Sequence, residues 1–238
     1  MKNMKKCYSI VVASVATIIM WACGPAEAGF TQHFTLEGLY TVNKATVAPE
    51  FSDTFFFVNN IDDYDLKTGE RAFIVMDYYY DAYSGKAGAW NIKSVKEKVP
   101  VYPLSLRSDI DESAYATPIT GLRAVGYFYD KLYTWVWKER QNISVEYRGV
   151  KEGALYAMAV RGVTEDGCVE FDLFINAEES NETVSVLLTF DISNVADLLT
   201  DEQKALLPEN GDIKTKIYAK RKKGDTVVAW PIDGNYSE

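Results

Sequence analysis

The 238-residue chain holds 25 basic and 34 acidic residues, one histidine and three cysteines, for a formal net charge of −9. So acidic a surface repels phosphate backbones and anionic headgroups, which argues against nucleic-acid binding and against a broad electrostatic grip on a membrane. One histidine and widely spaced cysteines also leave too few ligands for a zinc site, and only His33 as a base for a serine or cysteine nucleophile.

The amino terminus reads as an export signal. Lys2, Lys5 and Lys6 make a basic start, and Tyr8 to Met20 follow without a charge. That run has the length of a signal-peptide core and is short for a bilayer span. Trp21-Ala22-Cys23 resembles a bacterial lipobox, with a small residue directly before a cysteine that becomes lipidated. Residues 1–22 are therefore expected to be a signal peptide, Cys23 the lipidation site and residues 23–38 a lipidated tether. Ala26-Glu27-Ala28 offers an alternative secretory cleavage that would release the chain from Gly29. Without residues 1–22 the chain has 22 basic against 34 acidic residues, a net −12. Cys7 leaves with the signal and Cys23 with the lipid, so Cys168 has no disulfide partner. Its neighbours Glu165, Asp166 and Glu170 disfavour a thiolate, and it reads as an inert strand residue.

A β-rich region follows, expected to form one small barrel over residues 39–106. Runs at 39–47, 54–58, 71–80, 89–95 and 99–104 are rich in branched and aromatic residues. Asn59-Asn60, Lys67-Thr68-Gly69, Ser84-Gly85 and the prolines at 100 and 103 separate them. In the third run Ala72, Ile74, Met76, Tyr78 and Tyr80 share one face, read as the core side, with Arg71, Asp77 and Asp81 opposite. Five short strands in this space suit a small barrel or half-sandwich. Residues 107–120, with Asp109, Asp111, Glu112 and Ser113, read as a linker.

A second β domain is expected over residues 121–238, with strands at 132–137, 143–150, 154–160, 169–175 and 184–192. Val169, Phe171, Leu173 and Ile175 face one way, Glu170 and Asp172 the other. Val184, Val186, Leu188, Phe190 and Ile192 line a face opposite Ser185, Thr189, Asp191 and Ser193. Both patterns predict one dry and one wet face. One short helix interrupts the strands: Thr200 and Gln203 stand at capping-box spacing, and Pro208 and Gly211 stop it. Residues 212–219 and 226–232 close the chain as a hairpin around Lys223-Gly224-Asp225. The fold class is thus all-β, two successive β regions with one short helix near the carboxyl terminus.

In this order of elements the chain resembles the NigD-like lipoproteins of Bacteroidota. The carriers are Trp21-Ala22-Cys23, the segments 71–80 (RAFIVMDYYY) and 90–95 (WNIKSV), the aromatic strand 132–137 and the segment 184–193 (VSVLLTFDIS). The resemblance implies an OB-like amino-terminal barrel joined to a β-sandwich, and an envelope location with the outer membrane favoured. It also implies an association with bacteriocin immunity, and it brings no catalytic residue.

The candidate chemistry is sparse. His33 reads as a solvated tether residue. Glu170 and Asp172 share a strand face, the ordinary solvated pattern, although an acid pair at glycosidase spacing stays open. Asp62-Asp63-Tyr64-Asp65 has the look of a calcium loop, but Gly69 and Ile74 stand where an EF-hand needs other spacing and a glutamate, so a polar hairpin turn is the reading, with a weak, non-EF calcium site as the alternative. Lys220-Arg221-Lys222-Lys223 reads as a charged edge that prevents sheet-to-sheet aggregation, with docking of an acidic partner as the alternative. Tyr133, Trp135 and Trp137 share a face and are the ligand-binding candidates: exposed, they could stack on sugars or anchor a peptide; buried, they form the centre of the sandwich core. The expected function is a non-enzymatic envelope lipoprotein with a binding or immunity-like role, needing no metal or cofactor. Its partner would be an envelope protein, a peptide or toxin, or a glycan, with membrane contact through the lipid. A structural or fimbrial subunit and a carboxylate-dependent hydrolase are the alternatives.

Overall fold

The structure is a computed structural model, and it describes residues 31–50, 55–81, 86–127, 130–208 and 213–233. The expected signal peptide, Cys23, the first half of the expected tether, Ser84-Gly85 and Gly211 lie outside the described residues.

The first sheet contains β1 (Thr31–Asn43), β2 (Thr46–Pro49), β3 (Phe56–Phe57), β4 (Arg71–Asp81) and β5 (Lys86–Lys98) in the order β3-β2-β1-β4-β5. All its neighbours are antiparallel. Val58, just beyond β3, bridges Trp90 of β5 in parallel and so closes the five strands on themselves. This is the connectivity of an OB-like barrel. Its core is Tyr40, Val42, Val47, Ala72, Ile74, Met76 and Ile92, so Ala72, Ile74 and Met76 face inward as their alternation predicts. The run expected at 39–47 is in fact two strands. The hairpin between them turns at Lys44, whose φ of 50° is the left-handed conformation without the usual glycine.

Residues 31–38, expected to belong to a tether, are strand: they pair with β4 from Thr31↔Asp81 onward. His33 is thus a strand residue, with Nε2 3.3 Å from Asp77 Oδ2. Alternation of polar and apolar residues there is weak, and β4 supplies the pairing that the local sequence does not announce.

The second sheet is built from β6 (Val101–Pro103), β7 (Ile119–Leu122), β10 (Thr134–Trp137), β11 (Arg140–Arg148), β12 (Leu155–Val163), β13 (Cys168–Asn176), β14 (Thr183–Asp191), β15 (Lys214–Lys223) and β16 (Thr226–Asp233). A small ribbon, β8 (Val125–Tyr127) with β9 (Asp130–Leu132), stands apart. The main path runs β12-β13-β15-β7-β11-β14-β6, with β10 on β11 and β16 on β15. Ser105, just past β6, donates its N–H to the Met158 carbonyl of β12 at 2.9 Å, so the sheet curls into a nearly closed barrel. The core holds Val169, Phe171, Leu173 and Ile175 with Val186, Leu188, Phe190 and Ile192, the inward sets their alternation predicts.

Two boundaries move. The run at 99–104 crosses into the second sheet, where β6 lies parallel to β14. Residues 107–120 are not a free linker: Ile110 and Tyr115 pack on Ala157, Ala159 and Phe174, and β7 joins β11. Polar composition suggested a linker, yet beside these two apolar side chains Thr117 N–H donates to the Ile175 carbonyl at 3.1 Å and Lys220 Nζ to the Tyr115 carbonyl at 2.8 Å, and both hold the segment against the barrel. The helix α1 (Asp201–Lys204) has the predicted capping box, Gln203 N–H donating to Thr200 Oγ1 at 3.3 Å and Thr200 N–H to Gln203 Oε1 at 3.1 Å.

Candidate functional site

The three aromatic candidates of β10 and its approach do not share one environment. Trp135 is 5% exposed and sits with Leu39, Val99 and Leu187, a small apolar cluster joining the two sheets. Tyr133 and Trp137 are half-buried, and Trp137 flanks the same cluster with Lys138 Nζ 5.6 Å from its ring centre. The rings are therefore neither a solvent-facing platform nor the sandwich centre. Trp135 is a strut between sheets, because the first barrel covers the face that alternation left open.

Beside Trp135 lies a buried polar knot. Arg71 and Glu50, each 2% exposed, form an ion pair through Arg71 Nη2 and Glu50 Oε1. Arg71 Nη1 donates to Thr189 Oγ1 at 2.6 Å, and Nη2 donates also to Asn142 Oδ1 at 3.0 Å. Trp135 Nε1 donates to Glu50 Oε2 at 3.0 Å. Burial pulls the Arg71 pKa down, opposed by the Glu50 carboxylate. Arg71 and Thr189, assigned by alternation to open faces, are instead the contact between sheets. Charges this deep are tolerated only when paired and hydrogen-bonded. The knot fixes one sheet on the other through Arg71 Nη1 and Nη2, while the buried Arg71 Nε has no hydrogen-bond partner among the described residues.

The acidic pair is likewise engaged. Asp172 is bound by Arg107 and lies 3.5 Å from Arg161 Nη1, and Glu170 accepts from Tyr218 Oη at 2.9 Å. The Glu170 contact raises the Tyr218 pKa. Asp62 and Asp63 form a 3₁₀ turn over the buried Ile61, and Lys98 Nζ bridges Asp65 at 3.2 Å and Glu70 at 3.3 Å. Among the described residues no three histidine, cysteine, aspartate or glutamate side chains converge as a metal cluster would require.

The β15–β16 ribbon carries the basic run Lys220–Lys223. Ile217, Ala219 and Ile232 root it in the barrel core, and Trp230 packs against that core. From Lys222 to Ala229 every residue is exposed, so the ribbon projects as an arm. Its tip is a two-residue turn in which Gly224 takes a φ of 62°. Two grooves flank it. One, of about 360 Å³, runs past Arg161, Phe174, Tyr218, Lys220 and Val227. The other, of about 380 Å³, lies along Arg221, Lys223, Val228 and Trp230. Arginines stack on the aromatic rings there, Arg161 4.1 Å from the Tyr218 centre and Arg221 4.1 Å from that of Trp230. Val227 and Val228 stay 49% and 37% exposed. A cationic, valine-bearing arm on a chain of net charge −9 is a local inversion of the molecule's surface. The Lys220–Lys223 run was visible in sequence; the exposure of the two valines was not, since an unbroken apolar run such as Val227 to Trp230 normally marks a buried strand. A lesser aromatic patch, Phe55 and Phe57 with ring centres 5.6 Å apart, lies at β3.

No family model and no curated protein matches the sequence. Solved structures do match the fold. A protein described as a candidate lipoprotein from Bacteroides fragilis superposes with a TM-score of 0.60 at 12% identity, over 85% of this chain and 96% of that one. A protein of unknown function from Bacteroides vulgatus gives 0.56 at 17%, over 84% and 92%. A NigD-like immunity protein from Bacteroides caccae gives 0.52 at 10%, over 85% and 98%. The chain shares the NigD-like fold. That fold joins the OB-like barrel to the second, curled sheet, as the order of segments at 71–80, 90–95 and 184–193 implies. None of the three names describes an enzyme.

Proposed function

We propose that this protein is an exported envelope lipoprotein, anchored through Cys23, that binds a macromolecular partner with the β15–β16 arm and catalyses no reaction. The observation that carries the binding role is the arm itself. It is rooted in the barrel core, exposed from Lys222 to Ala229, basic on an acidic molecule, and bordered by grooves on both sides. The export signal, the lipobox-like cysteine and the names of the structural neighbours support the address. Engagement of Asp172 by two arginines and of Glu170 by Tyr218 speaks against an acid–base pair. An immunity-like role, holding a toxin or peptide at the envelope, fits such an arm; the outer membrane is the favoured site.

Two measurements test this. Radiolabelled palmitate should enter the wild type and not Cys23→Ala; equal labelling, or none in either, would remove the anchor. Crosslinking in native envelopes should capture a partner with the wild type and lose it when Lys220, Arg221, Lys222 and Lys223 are changed to serine. Undiminished capture would move the binding site elsewhere. The structural-subunit reading has one observation behind it, the outer edge of β16, which no described strand covers.

A further inference from the structure

The arm's outer edge has a readable hydrogen-bonding pattern. Pro231 stands opposite Tyr218 in the β15–β16 register and has no N–H to give. Their pair is therefore of the non-hydrogen-bonded kind, and alternation makes Ala229↔Lys220 and Val227↔Lys222 the same. The turn gives the same phase independently. Gly224, at a φ of 62°, leads a two-residue hairpin turn whose flanking pair, Lys223 and Thr226, exchanges both bonds. Val227 and Ala229 thus aim their N–H and C=O groups away from β15, and among the described residues no strand receives them.

We propose that the β16 edge accepts an extended acidic segment of a partner protein as an added β-strand, paired through the Val227 and Ala229 backbone. This rests on the reading of the arm as the binding surface and names the chemistry of its occupant. Charge selects the occupant. Val227 and Ala229 share their face with Lys222 and Lys220, while Val228 shares the opposite one with Arg221 and stands diagonal to Ala219, two places from Trp230. A strand with carboxylates on alternate residues lays them toward Lys222, since Lys220 Nζ is already held by the Glu112 and Tyr115 carbonyls at 3.2 and 2.8 Å, and its remaining apolar residues lie beside Val228. A second copy's β16 is a poor occupant, for Thr226 to Ile232 bring no carboxylate and two copies set lysine-rich ribbons side by side. Pro231 ends the available edge, so the added strand is held at Val227 and Ala229 and does not run on toward Asp233.

The test uses the purified protein and short synthetic peptides of alternating Glu and Val. One probe is unmodified, one is N-methylated on alternate backbone nitrogens, and one carries Lys in place of Glu. Binding is read by fluorescence anisotropy, and hydrogen exchange is followed at individual amides. The proposal expects the Glu/Val peptide to slow exchange at Val227 and Ala229, with little change at Thr226, Val228 and Trp230, which β15 already protects. N-methylation on the pairing side, or Val227→Pro, should weaken binding about tenfold, as loss of one or two hydrogen bonds implies. The Lys/Val peptide should not bind. If the N-methylated peptide binds as well as the unmodified one and the two amides stay unprotected, strand addition is wrong while the arm remains a binding surface. If no acidic peptide binds and envelope capture is indifferent to the arm's charges, both readings fall. Protection of Val227 and Ala229 by protein concentration alone would assign the edge to a second copy and overturn the acidic occupant.

Discussion

Replacing Arg71 by methionine tests whether the knot between the sheets is as dry as its geometry says. The substitution keeps most of the stem's volume and removes the guanidinium that touches Glu50, Asn142 and Thr189. Glu50, 2% exposed, would keep Trp135 Nε1 at 3.0 Å and the weak Asn142 contact at 3.5 Å, and its charge would lose its counter-ion. Removing one partner of a buried pair costs about 3–5 kcal/mol. Removing both and filling the space with apolar atoms, as in Arg71→Met with Glu50→Leu, should recover most of that, since paired burial is itself costly. Urea unfolding of the purified wild type, both single variants and the double variant gives the coupling, expected above about 2 kcal/mol. Because the knot spans the two sheets, the single variants should also broaden or split the transition as the sheets uncouple. A loss below about 1 kcal/mol for Arg71→Met would mean that water reaches Glu50 and that the knot does not hold the sheets together. A double variant as unstable as the sum of the singles would refute the pairing argument.

Trp135→Phe keeps the ring against Leu187 and removes the Nε1 donor to Glu50; unfolding should show a loss of about 1–3 kcal/mol, and no change would mean another donor takes over. Gly167 holds a φ of +77°, and a Cβ there would lie 2.7 Å from the Leu206 carbonyl oxygen, so Gly167→Ala should cost at least about 1–2 kcal/mol by thermal or urea melting. Ser113 donates Oγ at 2.6 Å and N–H at 3.0 Å to Asp111 Oδ1, which holds the Asp111 carboxyl below its ordinary pKa. A depressed folded pKa gives stability that is present above the unfolded value and lost as pH falls through the folded one. Ser113→Ala should therefore raise the Asp111 midpoint seen by NMR, and an unmoved midpoint would discard the hydroxyl as its cause.

Legibility in the sequence followed how local the controlling physics is. The inward sets of β4, β13 and β14 were readable because period-two alternation is written in consecutive residues and a barrel core answers it. The capping box at Thr200 and Gln203 was readable for the same reason, since both partners lie within one turn. The β15–β16 hairpin was marked by Gly224, but its projection was not, because exposure on both faces depends on where the barrel ends.

What the chain determined by itself was its class: all-β, acidic, with a greasy basic-led start and one capped helical turn. Each of these depends on neighbours along the sequence or on composition. The tertiary structure alone decided which open faces close. Arg71 and Thr189 looked solvated by alternation, and Trp135 looked like sandwich core, until the OB-like barrel met the second sheet and turned all three into one contact. Residues 31–38 became strand because β4 offered an edge. Desolvation is set by what arrives from elsewhere in the chain, and no local pattern of side chains records it.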